Sequence, residues 1–343
     1  MTTTPVAARS LAARPLGAHL HAAYTTGPRL LRVAAVRDLT ADVRHLVLVD
    51  PEGRPLAPHE PGAHVVLTTD PGAAGEKRNA YSLTGDGFNP RSYAVSVLRR
   101  EQGSRWVHGL APGDLVEVEG PRSAFAPRHD QRHALLVAGG IGITPVLSHA
   151  RAVVRWGGTV EVLYSYRPGH AAHLDDVRTL AERDGVTLHE ATSIEATAGL
   201  LAARLADQPL GTHAYACGPV AMLDAYVAAA RAAGWPAERV HLERFTAPEL
   251  DAGVPFTATL ASTGERLAVP PGTSLLQALL GAGRAVPNLC RQGVCGECEV
   301  PVRRGAVEHR DLVLPDAAKE AGDRMLACVS RAATADTDIE VDL

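Results

Sequence analysis

The sequence is short of several things, and each shortage excludes a class of protein. No apolar run approaches the roughly 18 residues that a membrane-spanning helix needs, so no membrane partner is expected. Lysine occurs only at Lys77 and Lys319; the other basic residues are arginine, a bias that with abundant alanine fits a GC-rich bacterial genome. The formal net charge is −4 and no basic stripe is visible, which argues against nucleic acid as a partner. Five cysteines, four of them bunched near the C-terminus, do not read as a secreted disulfide framework. Such thiols suit a reducing compartment, and a cytoplasmic location is expected. Acidic residues are missing from the first 28 positions, which carry Arg9 and Arg14 and vaguely resemble an organellar transit peptide. The reading favoured there is a flexible tail over 1–28.

What is present is concentrated at Cys290, Cys295, Cys298 and Cys328. Their spacing is Cys-x4-Cys-x2-Cys with the fourth 30 residues further on, the plant-type spacing for a [2Fe–2S] cluster. Gly293 and Gly296 fit a backbone that must wrap closely around sulfide. Tetrahedral zinc is the alternative for four thiolates, but zinc ribbons favour paired Cys-x2-Cys knuckles and only Cys295 and Cys298 are so spaced. Cys217 lies in another unit and is no ligand candidate.

A 343-residue chain, 46% hydrophobic, has room for two or three cores. From about 30 to 125, short β-rich runs such as RLLRVAAV, VRHLVLV and SYAVSVLR alternate with turns and show no convincing helix, which predicts a small antiparallel barrel. From about 130 to 246 strand and helix alternate, beginning with HALLVAGG and TPVLSHARAVVRW, and predict a parallel doubly wound sheet. After the proline-bearing stretch TAPELDAGVP, a hairpin and helix precede the cysteine loop, and DTDIEVDL closes the chain as a strand.

Three further motifs carry chemistry. AGGIGITP follows a buried strand and opens a helix, so Gly139, Gly140 and Gly142 let the backbone turn toward a pyrophosphate that the helix N-terminus would bind, with Thr144 and Pro145 in its first turn. By itself such a turn is equally a tight strand–helix connection. ACGP places Cys217, Gly218 and Pro219 at the end of a later strand of the same sheet, in the crevice where ligands of such sheets bind; alone, a buried cysteine is more often inert core. KRNAYSLTG combines an aromatic ring, a hydroxyl and positive charge, which suits a flavin, though it reads equally as a strand ending in a turn. Gly103 and Ser104 in EQGSRWVHGL offer a weak phosphate contact.

Taken in this order, barrel, nucleotide unit and cluster loop resemble the phthalate dioxygenase reductase and vanillate demethylase reductase family, within the ferredoxin reductase superfamily. The likeness covers about 30 to 343: AYSL is similar to the family's flavin signature, QGSRWVHGL to its phosphate-side loop, GGIGITP and CGP to its nicotinamide motifs, and HLERF to the segment closing its nucleotide domain. GAVEHRDLVL and MLACVSRA resemble its ferredoxin domain. The resemblance implies a flavin-binding β-barrel over 29–128, an NAD(P)-binding α/β domain over 129–247, a linker at 248–254 and an α+β plant-type ferredoxin (β-grasp) domain over 255–343. The superfamily signature is Arg-x-Tyr-Ser, whereas Asn79 lies two residues before Tyr81 here and Arg78 three; Arg78 would reach the phosphate by a small backbone shift.

The implied function is the reductase component of a multicomponent oxygenase. Electrons would pass from NADH (NADPH the alternative, with Arg167 near the deciding position) through FMN, rather than FAD, to the [2Fe–2S] cluster. The flavin site would comprise Arg78, Asn79, Ala80, Tyr81, Ser82, Leu83, Gly103 and Ser104, with Ser82 near the flavin N5. Cys217 would lie near the nicotinamide, and Glu243 and Phe245 would close that site. The implied partner is a terminal oxygenase, Rieske-type or haem-type, with a cytochrome P450 or other demethylase as alternative acceptor; the ferredoxin unit's net charge of −3 would suit a basic docking face. A reading of another class, a cluster-bearing redox sensor, lacks a visible basic recognition helix; a third class is a zinc-stabilised binding module.

Overall fold

The computed structural model of the chain describes residues 27–71, 77–100, 102–123, 125–245, 250–335 and 337–343. Most of the expected tail, the turn at 72–76 and part of the expected linker lie outside the described residues.

Six strands, β1 (Arg29–Asp38), β2 (Val43–Val49), β3 (His64–Thr69), β4 (Lys77–Ser82), β5 (Tyr93–Leu98) and β6 (Leu115–Arg122), form an antiparallel sheet in the order β4-β3-β6-β1-β2-β5. A bridge between Leu83 and Val95 links the two edge strands and curls the sheet into a barrel. Its inner residues, among them Leu31, Leu46, Val65, Leu67 and Val97, form one core. A short helix, α1 (Gln102–Gly109), caps that core with Val107. Its only large apolar residues, Trp106 and Val107, hid it from a search for strand periodicity.

The next sheet is wholly parallel. It contains β7 (His133–Gly139), β8 (Thr159–Ser165), β9 (Val186–Ala191), β10 (Thr212–Cys217) and β11 (Val240–Glu243), ordered β11-β10-β7-β8-β9. Helices α2 (Ile143–Arg155) and α3 (Leu174–Ala181) cover one face, while α4 (Ile194–Ala206) and α5 (Val220–Ala232) cover the other. That is why β7 and β10 are near-continuous buried runs with no alternation. In α2 the residues Ile143, Val146, Leu147 and Ala150 recur at helical spacing and are all buried, and burying each large one contributes roughly 1.5–3 kcal/mol. The strand order reverses between β7 and β10, which makes their carboxyl ends the crevice of this unit.

The last unit holds β12 (Phe256–Leu260), β13 (Arg266–Val269), α6 (Leu275–Gly281), β14 (Glu299–Arg304), β15 (Val307–Glu308), α7 (Asp316–Ala321), β16 (Arg324–Leu326), β17 (Arg331–Ala332) and β18 (Asp338–Val341). Its main sheet runs β13-β12-β18-β14-β16, with α6 packed on it and β15 pairing β17 at the side. Ser274 and Gln277 form a reciprocal capping box that starts α6. Among the described residues no helix is long and apolar enough to cross a membrane.

Candidate functional site

Strand alternation decides which residues of the flavin segment act together. In β4, Asn79 and Tyr81 face one way, and Arg78, Ala80 and Ser82 the other. Tyr81 lies against the barrel core beside Trp106, and Asn79 Nδ2 donates to the Tyr81 hydroxyl at 3.4 Å. Asn79 also stands over the start of α1: a Cβ at Gly103 would come within 2.3 Å of its Nδ2. Asn79, Tyr81 and Gly103 therefore share a corner with Ser104, whose hydroxyl accepts the Arg100 N–H at 2.8 Å. Arg78 is turned to the opposite face, onto Glu119. Pairing between β3 and β4 is regular from Thr69↔Lys77 to His64↔Ser82, so no backbone shift brings Arg78 round to the Tyr81 side. Asn79 takes the place that the signature gives to arginine. Ser82 is buried at the strand end, opposite His64, while Ala80 is exposed and Leu83 belongs to the core.

The glycine turn sits at the reversal point of the parallel sheet. After β7 a single 3-10 turn, Gly140–Gly142, runs straight into α2. The glycines serve two purposes. At Gly140 the backbone has φ +53 and a Cβ would meet open space. At Gly142 a Cβ would strike the Cys217 carbonyl oxygen at 2.1 Å, and at Gly139 it would strike Pro219 Cδ at 2.6 Å. So Gly139 and Gly142 are demanded by contact between the two strand-end loops, and Gly140 by the turn itself. Thr144 is buried with its hydroxyl donating to the Ile141 carbonyl at 3.0 Å, and Pro145 is buried beside it.

Cys217 ends β10 and pairs in register with Glu243 at the end of β11. Burial, helped by the Glu243 charge, pushes the Cys217 thiol well above its ordinary range. Burial likewise pushes the Glu243 carboxyl up to about 8. Its residue surface is partly open, but Oε2 is sealed from solvent and has no hydrogen-bond partner. An orphaned buried carboxyl at the carboxyl end of the sheet is a ready contact for a ligand amide. Phe245, two residues on, is 38% exposed.

The four remaining cysteines come together two and two, Cys290 beside Cys295 and Cys298 beside Cys328. The Gln292 N–H donates to Cys290 Sγ at 3.3 Å, and N–H groups of Val294 and Cys295 also face it. The Cys295 thiol pulls Cys290 down to about 6, and Cys328 likewise lowers Cys298; the two partners are raised correspondingly. No three ligating side chains among the described residues stand close enough for a single ion. Two pairs of thiols ringed by N–H donors fit a centre with two irons, each taking two thiolates. The glycines fit as well: Gly293 has φ +72 and a Cβ there would press on Val329 Cγ2 at 2.6 Å. Behind the loop, fully buried Asp311 accepts from the N–H groups of Val313 (3.1 Å) and Leu314 (2.8 Å), and the Leu312 N–H donates to the Gly293 carbonyl at 2.9 Å.

Sequence reasoning missed the seam between barrel and nucleotide unit. There Ser96 Oγ lies 2.8 Å from His45 Nδ1 and 2.7 Å from His173 Nε2, and His173 Nδ1 lies 2.7 Å from Asp176 Oδ2. Arg151 joins Asp176 to the Thr84 carbonyl, and His149 Nε2 meets the Phe125 carbonyl at 2.7 Å. These partners come from segments far apart in sequence, so no local spacing signals them.

A barrel with a flavin-type corner, a parallel sheet with a nucleotide crevice and a plant-type cysteine loop define a flavin-dependent iron–sulfur reductase. Residues 119–240 match the family described as dimethylamine monooxygenase subunit DmmA-like, N-terminal domain, and residues 258–333 match the 2Fe-2S iron-sulfur cluster binding domain. The heme-dependent oxidative N-demethylase beta subunit of Ectopseudomonas mendocina is 40% identical over 306 residues, 88% of this chain and 95% of that protein. The solved phthalate dioxygenase reductase, described as a modular structure for electron transfer from pyridine nucleotides to [2Fe–2S], is similar at a TM-score of 0.69 and 32% identity, covering 92% of this chain and 98% of that one. An intact type IV self-sufficient cytochrome P450 monooxygenase is similar at 0.76 and 33% identity over 92% of this chain, which spans only 41% of that larger protein. The chain belongs to the phthalate dioxygenase reductase and vanillate demethylase reductase family, reductase components that carry electrons from NAD(P)H through a flavin to a [2Fe–2S] cluster.

Proposed function

We propose that this reductase takes hydride from NADH onto FMN and delivers single electrons through its cluster to a haem-type terminal oxygenase in the cytoplasm. When bound, the flavin supplies the exchange between a two-electron donor and a one-electron acceptor, which is chemistry no side chain provides. The chain's own residues bind and orient. Asn79, Gly103 and Ser104 form the phosphate side of the flavin corner, with Tyr81 and Ser82 at the ring edge. Gly140 and the start of α2 take the pyrophosphate, and Cys217, Gly218 and Pro219 line the nicotinamide end. At neutral pH the Glu243 carboxyl, raised to about 8 by burial, keeps its proton and can donate to the nicotinamide carboxamide as well as accept from it. Cys290 with Cys295, and Cys298 with Cys328, would hold the two irons. Arg167 is exposed just after β8, where a 2′-phosphate would need a cation, so NADPH is the alternative donor.

The observation that carries the reading is the presence of three separately built sites in the order the electrons need. The haem-type acceptor is favoured over a Rieske-type one by the similarity to a haem-dependent demethylase subunit and to a cytochrome P450. The test is to mix the NADH-reduced protein with a haem oxygenase and, separately, with a Rieske oxygenase. Faster oxidation by the haem protein is expected; faster oxidation by the Rieske protein would overturn the assignment.

A further inference from the structure

We propose that Arg122 and Glu297 form the joint that seats the cluster-bearing unit against the flavin barrel, which makes Arg122 a positioning residue for electron transfer to the cluster. The proposal rests on the reductase reading. Arg122 Nη1 donates to Glu297 Oε1 at 2.5 Å, across 175 positions of sequence. Its other terminal nitrogen, Nη2, donates to Glu119 Oε1, and Arg78 donates to Glu119 Oε2. One guanidinium is thus gripped by two carboxylates, one from each unit, in a chain Arg78–Glu119–Arg122–Glu297.

Arg122 and Glu297 lie beside the places where electrons must leave and arrive. Ser82 stands opposite His64, and His64 stands opposite Arg122, so the three occupy one row across β4, β3 and β6. The residue that holds the cluster unit is therefore in register with the candidate flavin-ring contact. Glu297 lies between Cys295 and Cys298 in the cluster loop. Among the described residues no other ion pair joins barrel and ferredoxin unit.

The described part of the connecting segment is held elsewhere. Arg310 Nη1 donates to the Asp251 carbonyl at 3.1 Å, and Arg331 Nη2 donates to the Val254 carbonyl at 2.8 Å. Arg331 also reaches the carbonyls of Thr273 and Pro270. The segment from 251 to 254 is thereby fastened to the ferredoxin unit and moves with it, leaving the seat on the barrel to the Arg122 joint. The step concerned is one electron passing from reduced flavin to oxidised cluster; no heavy-atom bond forms or breaks, and the flavin's proton goes to solvent. Electron tunnelling falls steeply with separation, so loosening the seat slows this step and leaves hydride transfer untouched. A half-exposed pair adds little to global stability, so the effect belongs to the rate and the seating, not to the melting temperature.

The test uses the full-length holoprotein without oxygen. In Arg122→Glu, three carboxylates crowd the joint; NADH should bleach the flavin at the wild-type rate while cluster bleaching slows about tenfold or more, because like charges opposed across an interface are strongly unfavourable. Small-angle X-ray scattering should report a larger radius of gyration. The double exchange Arg122→Glu/Glu297→Arg should restore both readouts. An unchanged radius of gyration in Arg122→Glu would overturn the proposal, as would cluster reduction at the wild-type rate. Failure of NADH to bleach the wild-type flavin would instead defeat the reductase reading, and the scattering result would still decide the joint.

Discussion

The barrel meets its two neighbours in opposite ways. Toward the nucleotide unit it offers an extended seam of linked polar groups: His45, Ser96, His173 and Asp176 in sequence, Arg151 reaching the Thr84 carbonyl, and Ser148 accepting the Gly62 N–H at 3.3 Å, with Ser96, His173 and Ser148 buried while Arg151 and Asp176 stay about 30% exposed. Even the backbone fits closely, since a Cβ at Gly62 would come within 2.7 Å of His149 Nε2. Toward the ferredoxin unit, among the described residues, it offers a single ion pair, with Arg122 and Glu297 both 31% exposed. The difference follows from what crosses each boundary. Hydride transfer needs two rings held in contact within a fraction of an ångström, and a seam of many linked hydrogen bonds supplies that rigidity. An electron crosses a gap between cofactors and requires a short separation, not a fixed contact.

The sharpest way to break this comparison is to remove one side of it. Cys298→Ser should abolish the cluster's absorption while NADH still bleaches the flavin, because the cysteine lies in the lightly attached unit; loss of flavin reduction as well would show that the units are not separable. The next effect in size should come from the seam. His173→Ala strands Ser96 and Asp176 without their shared partner, which should cost roughly 1–3 kcal/mol in chemical denaturation and slow flavin reduction more than cluster reduction. A slower cluster step with normal flavin reduction would place the rigid boundary on the wrong side.

Acid should act on the seam more gently. Burial holds His45 and His149 at about 4, against an ordinary 6.5. Between those values the unfolded chain binds protons that the folded chain refuses, so stability falls as pH drops through that window and levels off below it. Asp176, lowered by its hydrogen bond from His173, keeps its stabilising charge until lower pH. Melting temperatures measured from pH 7 to 4.5 should decline accordingly, and a flat profile would mean that the two histidines are solvated.

The sequence carried the fold well because each unit has its own periodicity. The parallel strands β7 and β10 are unbroken apolar runs, α2 shows its stripe, and the cysteine spacing is specific to one kind of loop. Motifs at strand ends were also legible, since Gly142 and Cys217 do meet at the reversal of the sheet. What could not be read depends on faces and distant partners. Whether Arg78 or Asn79 joins Tyr81 is settled by strand register, which a tripeptide does not reveal. The reason for Gly139 and Gly142 is contact with a second loop some 75 residues away, as the positions of Cys217 and Pro219 make plain. Arg122 and Glu297 look like ordinary surface charges until the two units are placed side by side.

Rapid anaerobic mixing with NADH tests the ordered relay most directly. Absorbance should show flavin bleaching first and cluster bleaching afterwards, with the second phase lost in Cys298→Ser and the first retained. Cluster bleaching that precedes flavin bleaching, or that proceeds in protein stripped of flavin, would contradict it.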